Sequence, residues 1–167
     1  MKSLQIVRNN KKEEMRNYLN EYLIELKEFD DTIKFNKKGE PIYKYFDDYF
    51  IDKDRYPIYF IIDNNIAGIA LVRELEIGYE IAEFYVLKEY RRDGNALVFI
   101  NMIFNLFDGD FSFSTRLENK RAIKFWDKVS SDYRDVKISQ DDNYKEWRIK
   151  RWWNMRWDYK KFIITTC

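Results

Sequence analysis

Glu80-Ile81-Ala82-Glu83-Phe84-Tyr85-Val86-Leu87-Lys88-Glu89-Tyr90-Arg91-Arg92-Asp93-Gly94-Asn95-Ala96 reads as a strand that runs through a basic, glycine-punctuated turn into an apolar helix. The order matters because it brings several backbone N–H groups to one point. Gly94, in the turn Arg91-x-x-Gly94-x-Ala96, tolerates a positive φ and lets amides converge on an anion. The helix that follows, from about Asn95 to Phe107, adds its free N–H groups and the positive end of its dipole. A diphosphate fits that description.

Outward from this stretch the chain reads as one continuous domain, 1–167, without linkers or repeats. Ser3 to Arg8 has strand character, and Asn10 with Glu13 resembles a capping box opening a helix. In that helix Met15, Tyr18, Leu19, Tyr22, Leu23 and Leu26 recur at helical spacing as one buried stripe. Phe29 to Tyr56 is irregular. A short helix is expected over Ile42 to Phe50, and its many rings in an acidic segment suggest a lid. Pro57 to Ile62 and Ile66 to Glu74 are β-rich runs separated by Asp63, Asn64 and Asn65, which is hairpin chemistry because Asn accepts the positive φ of a tight turn. Ile77 to Leu87 is the next strand. Beyond the Asn95 helix come a strand at Asp110 to Thr115, a helix at Glu118 to Val129, and β-like segments at Tyr133 to Ser139 and Tyr144 to Trp153. The order is β α α β β β α β α β β.

Composition removes much chemistry, since these 167 residues contain no histidine and one cysteine, Cys167. No Ser-His-Asp or Cys-His couple, histidine base, Cys/His zinc site or internal disulfide can be built from them; no metal site is expected. With 46% hydrophobic and 19% aromatic residues, the chain can fill a substantial core. A net charge of +1 favours neither nucleic acid nor an anionic membrane. Tyr144 to Lys161 nevertheless carries a local +5, and Glu28 to Asp54 a local −3. Without an 18-residue apolar run or a cleavable signal, a cytoplasmic protein with no membrane partner is expected.

Two motifs give a resemblance to the GNAT acyltransferases, the acetyl-coenzyme A-dependent N-acetyltransferase superfamily, and to a group of predicted bacterial acetyltransferases in it. One is the strand, turn and helix from Ile77 to Phe107, with Glu83-Phe84-Tyr85-Val86 and Arg91-x-x-Gly94-x-Ala96. The other, Glu118 to Trp126, looks like that family's N-x-x-A-x-x-(apolar)-(aromatic) helix, with Asn119, Ala122, Phe125 and Trp126 in place. The resemblance implies an α/β (mixed α+β) fold, a central splayed mixed sheet flanked by helices on both faces. It implies acetyl-CoA as the acyl-donor cosubstrate, its pantetheine arm lying in the gap between the strands ending near Val86 and beginning near Phe111. Amides from about Arg92 to Leu97, including those of Asp93, Gly94, Asn95 and Ala96, would cradle the pyrophosphate beside Arg91, backbone of Val86 and Leu87 would pair with the pantetheine, Asn119 would hydrogen-bond the pantetheine or orient the thioester, and Phe125 would also bind the cofactor. Arg92, Asp93 and Asn95 depart from the family pattern. A carboxylate about 5 Å from a diphosphate repels it by about 1 kcal/mol when solvated, which Arg91 and Arg92 would offset.

Transfer of an acyl group from a thioester to a primary amine by direct attack needs no enzyme nucleophile, but a lysine-type amine of pKa ~10.4 needs a base. Glu80 and Glu83 are the candidates, on opposite faces of a regular strand. Trp126 stands where the family commonly has the tyrosine that protonates the thiolate, so that either another hydroxyl, with Tyr85 and Tyr133 as the candidates, or water takes that role, or the enzyme is slow. The acceptor, a small-molecule or peptide amine, is expected near the acidic segment between Glu28 and Tyr56. A homodimer is left open. Two other readings stand beside this one: an acyl-CoA-binding relative without turnover, and a nucleic-acid or partner-binding module using Trp147, Trp152, Trp153 and Trp157 among Arg148, Lys150, Arg151 and Arg156. The alternation of Trp147, Ile149, Arg151, Trp153, Met155 and Trp157 otherwise reads as a packed terminal strand.

Overall fold

Asp63 and Asn64 take φ values of 48° and 67°, so the chain reverses within two residues in the computed structural model, which describes residues 1–151. The reversal joins β2 (Arg55–Ile62) to β3 (Asn65–Glu74). β1 (Lys2–Ile6) pairs antiparallel with β2, and β4 (Tyr79–Val86) antiparallel with β3. After α2 (Asn95–Leu106), β5 (Phe111–Arg116) lies parallel to β4; β6 (Val136–Gln140) and β7 (Tyr144–Ile149) form a hairpin whose second strand pairs with β5. The mixed sheet has seven strands in the order β1-β2-β3-β4-β5-β7-β6.

Each face has its own core. α2 and α3 (Lys120–Ser130) pack Phe99, Ile103, Phe104 and Trp126 onto Phe60, Val72, Ile81, Phe111, Phe113 and Trp147. Phe60 stacks on Phe99 at 4.8 Å and Phe113 on Trp126 at 4.2 Å, while Trp147 donates its indole N–H to Asp127 at 2.9 Å. Burying side chains of this size stabilises by about 1.5–3 kcal/mol each. On the other face α1 (Lys12–Leu26) lays Met15, Leu19 and Leu23 over Tyr59, Ile69, Leu71 and Tyr85.

The elements follow the sequence reading with local differences. The capping box does not form: a 3-10 turn over Asn9–Lys11 precedes α1, whose N-cap Lys11 makes no side-chain cap. The expected helix over Ile42 to Phe50 shrinks to a 3-10 turn at Asp47–Phe50. Phe46 and Tyr49 anchor the end of this segment in the α1-side core, where Arg16 lies over the Phe46 ring, while Phe35, Ile42 and Tyr45 are exposed. β7 ends at Ile149, with Trp147 and Ile149 both buried; Trp152, Trp153, Met155, Arg156 and Trp157 lie outside the described residues, and so does the nucleic-acid reading built on them. Among the described residues no helix is long and apolar enough to cross a membrane.

Gly68 sets how closely β3, β4 and α2 approach. A Cβ there would stand 2.6 Å from the Tyr85 carbonyl oxygen and 3.3 Å from the Phe99 ring. Gly68→Ala is expected to destabilise the fold by about 1–3 kcal/mol, seen in urea as a lower midpoint with an unchanged m value. An unchanged midpoint would show that the sheet yields freely here.

Candidate active site

β4 and β5 are partners only at Tyr79–Phe111, Glu80–Ser112 and Ile81–Phe113. Beyond Ile81 both strands continue without meeting, and the gap opens into a cleft of about 240 Å³. Ala82, Phe84 and Val86 line one side, Ser114 and Thr115 the other. Asn119, Phe125 and Trp126 of the α3 region close one face, with Tyr22 and Glu25 of α1 opposite.

The cleft runs to the start of α2. There Arg92 and Gly94 hold φ values of 81° and 72°, with Gly94 as the N-cap. A left-handed non-glycine residue such as Arg92 costs about 1–3 kcal/mol and concentrates at ligand-binding turns. The N–H groups of Leu97 and Val98 return to the Gly94 carbonyl at 3.0 and 3.1 Å, which leaves the earlier amides of the helix without intrahelical acceptors. A Cβ built on Gly94 meets no atom within 4 Å, so this end of the helix faces open space. Buried Asn95 ties the turn to the helix by donating its side-chain amide to the Tyr90 carbonyl at 2.8 Å.

The two candidate glutamates do not alternate as a regular strand requires. The β3–β4 register slips between Leu71 and Val72: Leu71 faces Glu83 but Val72 faces Ile81, so Ala82 is an extra residue. Glu80, opposite Arg73, and Glu83, opposite Leu71, therefore share the α1 face. Arg73 holds Glu80 in an ion pair. Glu83 has no such partner among the described residues. Burial pushes its carboxyl up to about 7, against the hydrogen bonding of the Tyr22 and Tyr43 hydroxyls; Glu80 and Asp30 add to the rise. A second cavity of about 360 Å³ lies on this face, lined by Glu80, Ser112, Ser114, Ser139, Asp141, Tyr144 and Glu146. Ser114 lines both spaces.

The fold is shared with solved acetyltransferases. An acetyltransferase of Thermus thermophilus superposes with a TM-score of 0.68 at 9% identity, over 90% of this chain and 97% of that one. A GNAT-family acetyltransferase of Streptococcus agalactiae gives 0.69 at 14%, over 90% and 95%. A putative streptothricin acetyltransferase of Bacillus anthracis, solved with acetyl coenzyme A, gives 0.54 at 14%, over 90% and 98%. No curated protein matches the sequence. The model of the acetyltransferase (GNAT) family matches residues 15–130. The chain belongs to this family.

Against the expectations for a GNAT enzyme, several side chains are engaged elsewhere. Arg91 does not face the α2 start: it binds both Glu25 oxygens at 2.9 Å and gives its Nε–H to the Val86 carbonyl at 2.8 Å. Leu87 donates its N–H to Ala67 at 2.9 Å. The Val86 carbonyl and Leu87 amide expected to meet the pantetheine thus have partners within the chain. Asn119 caps α3 by accepting from Ala122 N–H at 3.0 Å, and Phe125 stacks on Phe84 at 5.5 Å. The Tyr85 hydroxyl donates to Glu21 at 2.9 Å, away from the cleft lining, and Tyr133 packs edge-on against Phe104 in the core. Arg92 and Asp93 are exposed at the turn.

Tyr22, Glu25, Tyr43 and Arg121 were not singled out as site residues. Tyr22 belongs to the apolar stripe of α1, and Tyr43 to the ring-rich segment; their common target, Glu83, becomes visible only after the bulge turns it toward them. Glu25 draws in Arg121 at 2.8 Å as well as Arg91, and the two guanidiniums hold its carboxyl down at about 2 against the opposing effect of burial.

The two glutamates act on stability with opposite signs. Glu25, lowered from 4.5, contributes above about pH 4.5 and loses that contribution as the pH falls toward 2. Glu83, raised from 4.5, penalises the fold progressively as the pH rises from 4.5 through about 7. Glu83→Gln is therefore expected to melt above the wild type at pH 8, with the difference vanishing near pH 4.5. Glu25→Gln is expected to melt below it at pH 7, the difference shrinking as the medium is acidified. Melting curves across pH check both; variant and wild-type profiles that run parallel would contradict the assignment.

Proposed function

We propose that this GNAT protein transfers an acetyl group from acetyl-CoA to a primary amine by direct attack of the amine nitrogen on the thioester carbonyl, with Glu83 as the base. The observation that carries the reading is Glu83 held near neutrality beside the strand gap. A lysine-type amine is only about 0.04% unprotonated at pH 7, so a group titrating near 7 is suited to take its proton, directly or through one water. Glu80, neutralised by Arg73, shapes the wall of the second cavity instead.

The residues present fit acetyl-CoA. The open space over Gly94, the left-handed turn and the free amides of α2 suit a diphosphate, which the exposed Arg92 would assist and Asp93 oppose. The cleft suits a narrow pantetheine arm between Phe84, Phe125 and Ala82. Acetyl-CoA supplies the activated acyl group. The second cavity supports a cationic amine acceptor, since Glu80, Asp141 and Glu146 line it beside serine and tyrosine hydroxyls, and it meets the cleft at Ser114.

Isothermal titration with acetyl-CoA tests the donor site. One-to-one micromolar binding is expected, abolished in Gly94→Trp and tightened in Asp93→Lys; no binding up to millimolar would overturn the reading. With an amine that the enzyme accepts, kcat is expected to rise with pH through about 7, and Glu83→Gln to lower it about 10²- to 10⁴-fold. A Glu83→Gln variant with unaltered kcat would remove Glu83 from the chemistry.

A further inference from the structure

The cleft narrows to a blind end. It begins at the start of α2, where Arg91 and Ala96 line it, and stops where β4 and β5 pair at Ile81–Phe113. An arm anchored by its diphosphate at α2 therefore carries its acyl group toward that end. The second cavity meets the cleft at Ser114, next to Phe113, so the amine reaches the thioester carbonyl from there. An acyl chain longer than acetyl has two places to go. One is the second cavity, where it would block the amine and lie against Glu80, Asp141 and Glu146, poor surroundings for an alkyl chain. The other is the wall of the blind end.

That wall is aromatic and braced. Trp126, only 6% exposed, lines the cleft, and its ring centroid lies 4.2 Å from that of Phe113, 4.8 Å from Phe125 and 5.5 Å from Phe84. Phe113 is backed by Trp147 at 5.9 Å, and Trp147 donates its indole N–H to Asp127, the residue after Trp126. Lys145 of β7 holds the same carboxylate at 2.8 Å. Phe84 stacks on both Phe99, at 4.8 Å, and Phe125, at 5.5 Å. The Trp126 indole cannot swing aside without shifting α3 against β7, and a close-packed interior resists even one added methylene.

We propose that Trp126 sets the acyl length of the donor, admitting acetyl-CoA and rejecting longer acyl-CoA thioesters; the proposal rests on the acetyl-transfer reading above. Trp126 is in this role a specificity-determining residue that acts by shape alone. A misfit of one methylene in an apolar pocket changes affinity about 10- to 200-fold. Ala82 and Ser114, the first residues past the closing pair, are small and line the cleft, so the indole is the bulky group at this end. A shorter side chain at 126 leaves room that its neighbours, each held by its own stack, refill only in part.

Isothermal titration with CoA and with acetyl-, propionyl-, butyryl- and hexanoyl-CoA, in the absence of any amine, reads this end of the cleft without turnover. The wild type is expected to bind hexanoyl-CoA at least about 10-fold more weakly than acetyl-CoA. Trp126→Leu is expected to bring the two within about threefold of each other while leaving the affinity for CoA unchanged. Trp126→Phe, which keeps a ring on Phe113, is expected to shift propionyl-CoA in the same direction and serves should the leucine variant fail to fold. Equal affinity of the wild type for acetyl- and hexanoyl-CoA, or variants that keep the wild-type ratio between thioesters, would overturn the size limit while leaving acetyl transfer intact. Variants that weaken CoA and every thioester alike, with a lower melting temperature, would keep that ratio and so reduce Trp126 to a core residue. A wild type that binds neither CoA nor acetyl-CoA up to millimolar would overturn the donor site and the size limit with it.

Discussion

The parallel pairing of β4 with β5 ends after Ile81 and Phe113, and the site exists because it ends there. On its other edge β4 remains paired with β3 as far as Val86, so the strand keeps one neighbour while losing the other. Unpaired backbone groups of a strand edge need partners or solvent. Here Arg91 caps one of them, the Val86 carbonyl, and the cleft exposes the edge. The two cores keep the gap from closing: Phe84 and Phe113 are fixed by stacking on Phe125 and Trp126, and Tyr85 by α1.

Charge is placed on the two sides of Tyr85 in opposite ways. Glu25 is surrounded by Arg91, Arg121 and, at 4.0 Å, Lys88, and remains firmly ionised. Glu83, two residues before Tyr85, meets two phenols and other carboxylates and is held near neutrality. The first arrangement joins α1, the α2 turn and α3 across the cleft. The second keeps a titratable group beside the gap, at a cost in stability of the kind that functional sites carry.

The parts of the candidate donor site differed in how they could be read. Arg91-x-x-Gly94-x-Ala96 was legible because a left-handed glycine before an apolar helix is a local feature, fixed by backbone sterics and by the four amides that any helix start leaves free. The hairpin at Asp63 and Asn64 and the stripe on α1 were legible for the same reason. Asn119 lines the cleft as the motif implies, while its side-chain oxygen caps α3 by accepting from the Ala122 amide. Arg91 was expected at the anion, and no local pattern announces a carboxylate 66 residues earlier in the chain.

From the sequence alone came the family, the element order, the turn that opens α2, and an inventory without histidine that leaves carboxylates and phenols as the proton carriers. The tertiary structure decided which of them meet. The extra residue at Ala82 is a property of the β3–β4 register, and it reverses the alternation of a regular strand and so puts Glu80 and Glu83 on one face. The pKa of Glu83 depends on burial under α1 and on Tyr22 and Tyr43, which lie 61 and 40 residues away along the chain. Sequence fixes periodicity and local backbone preference; register, burial and long-range charge contacts arise only when the sheet closes around its two cores.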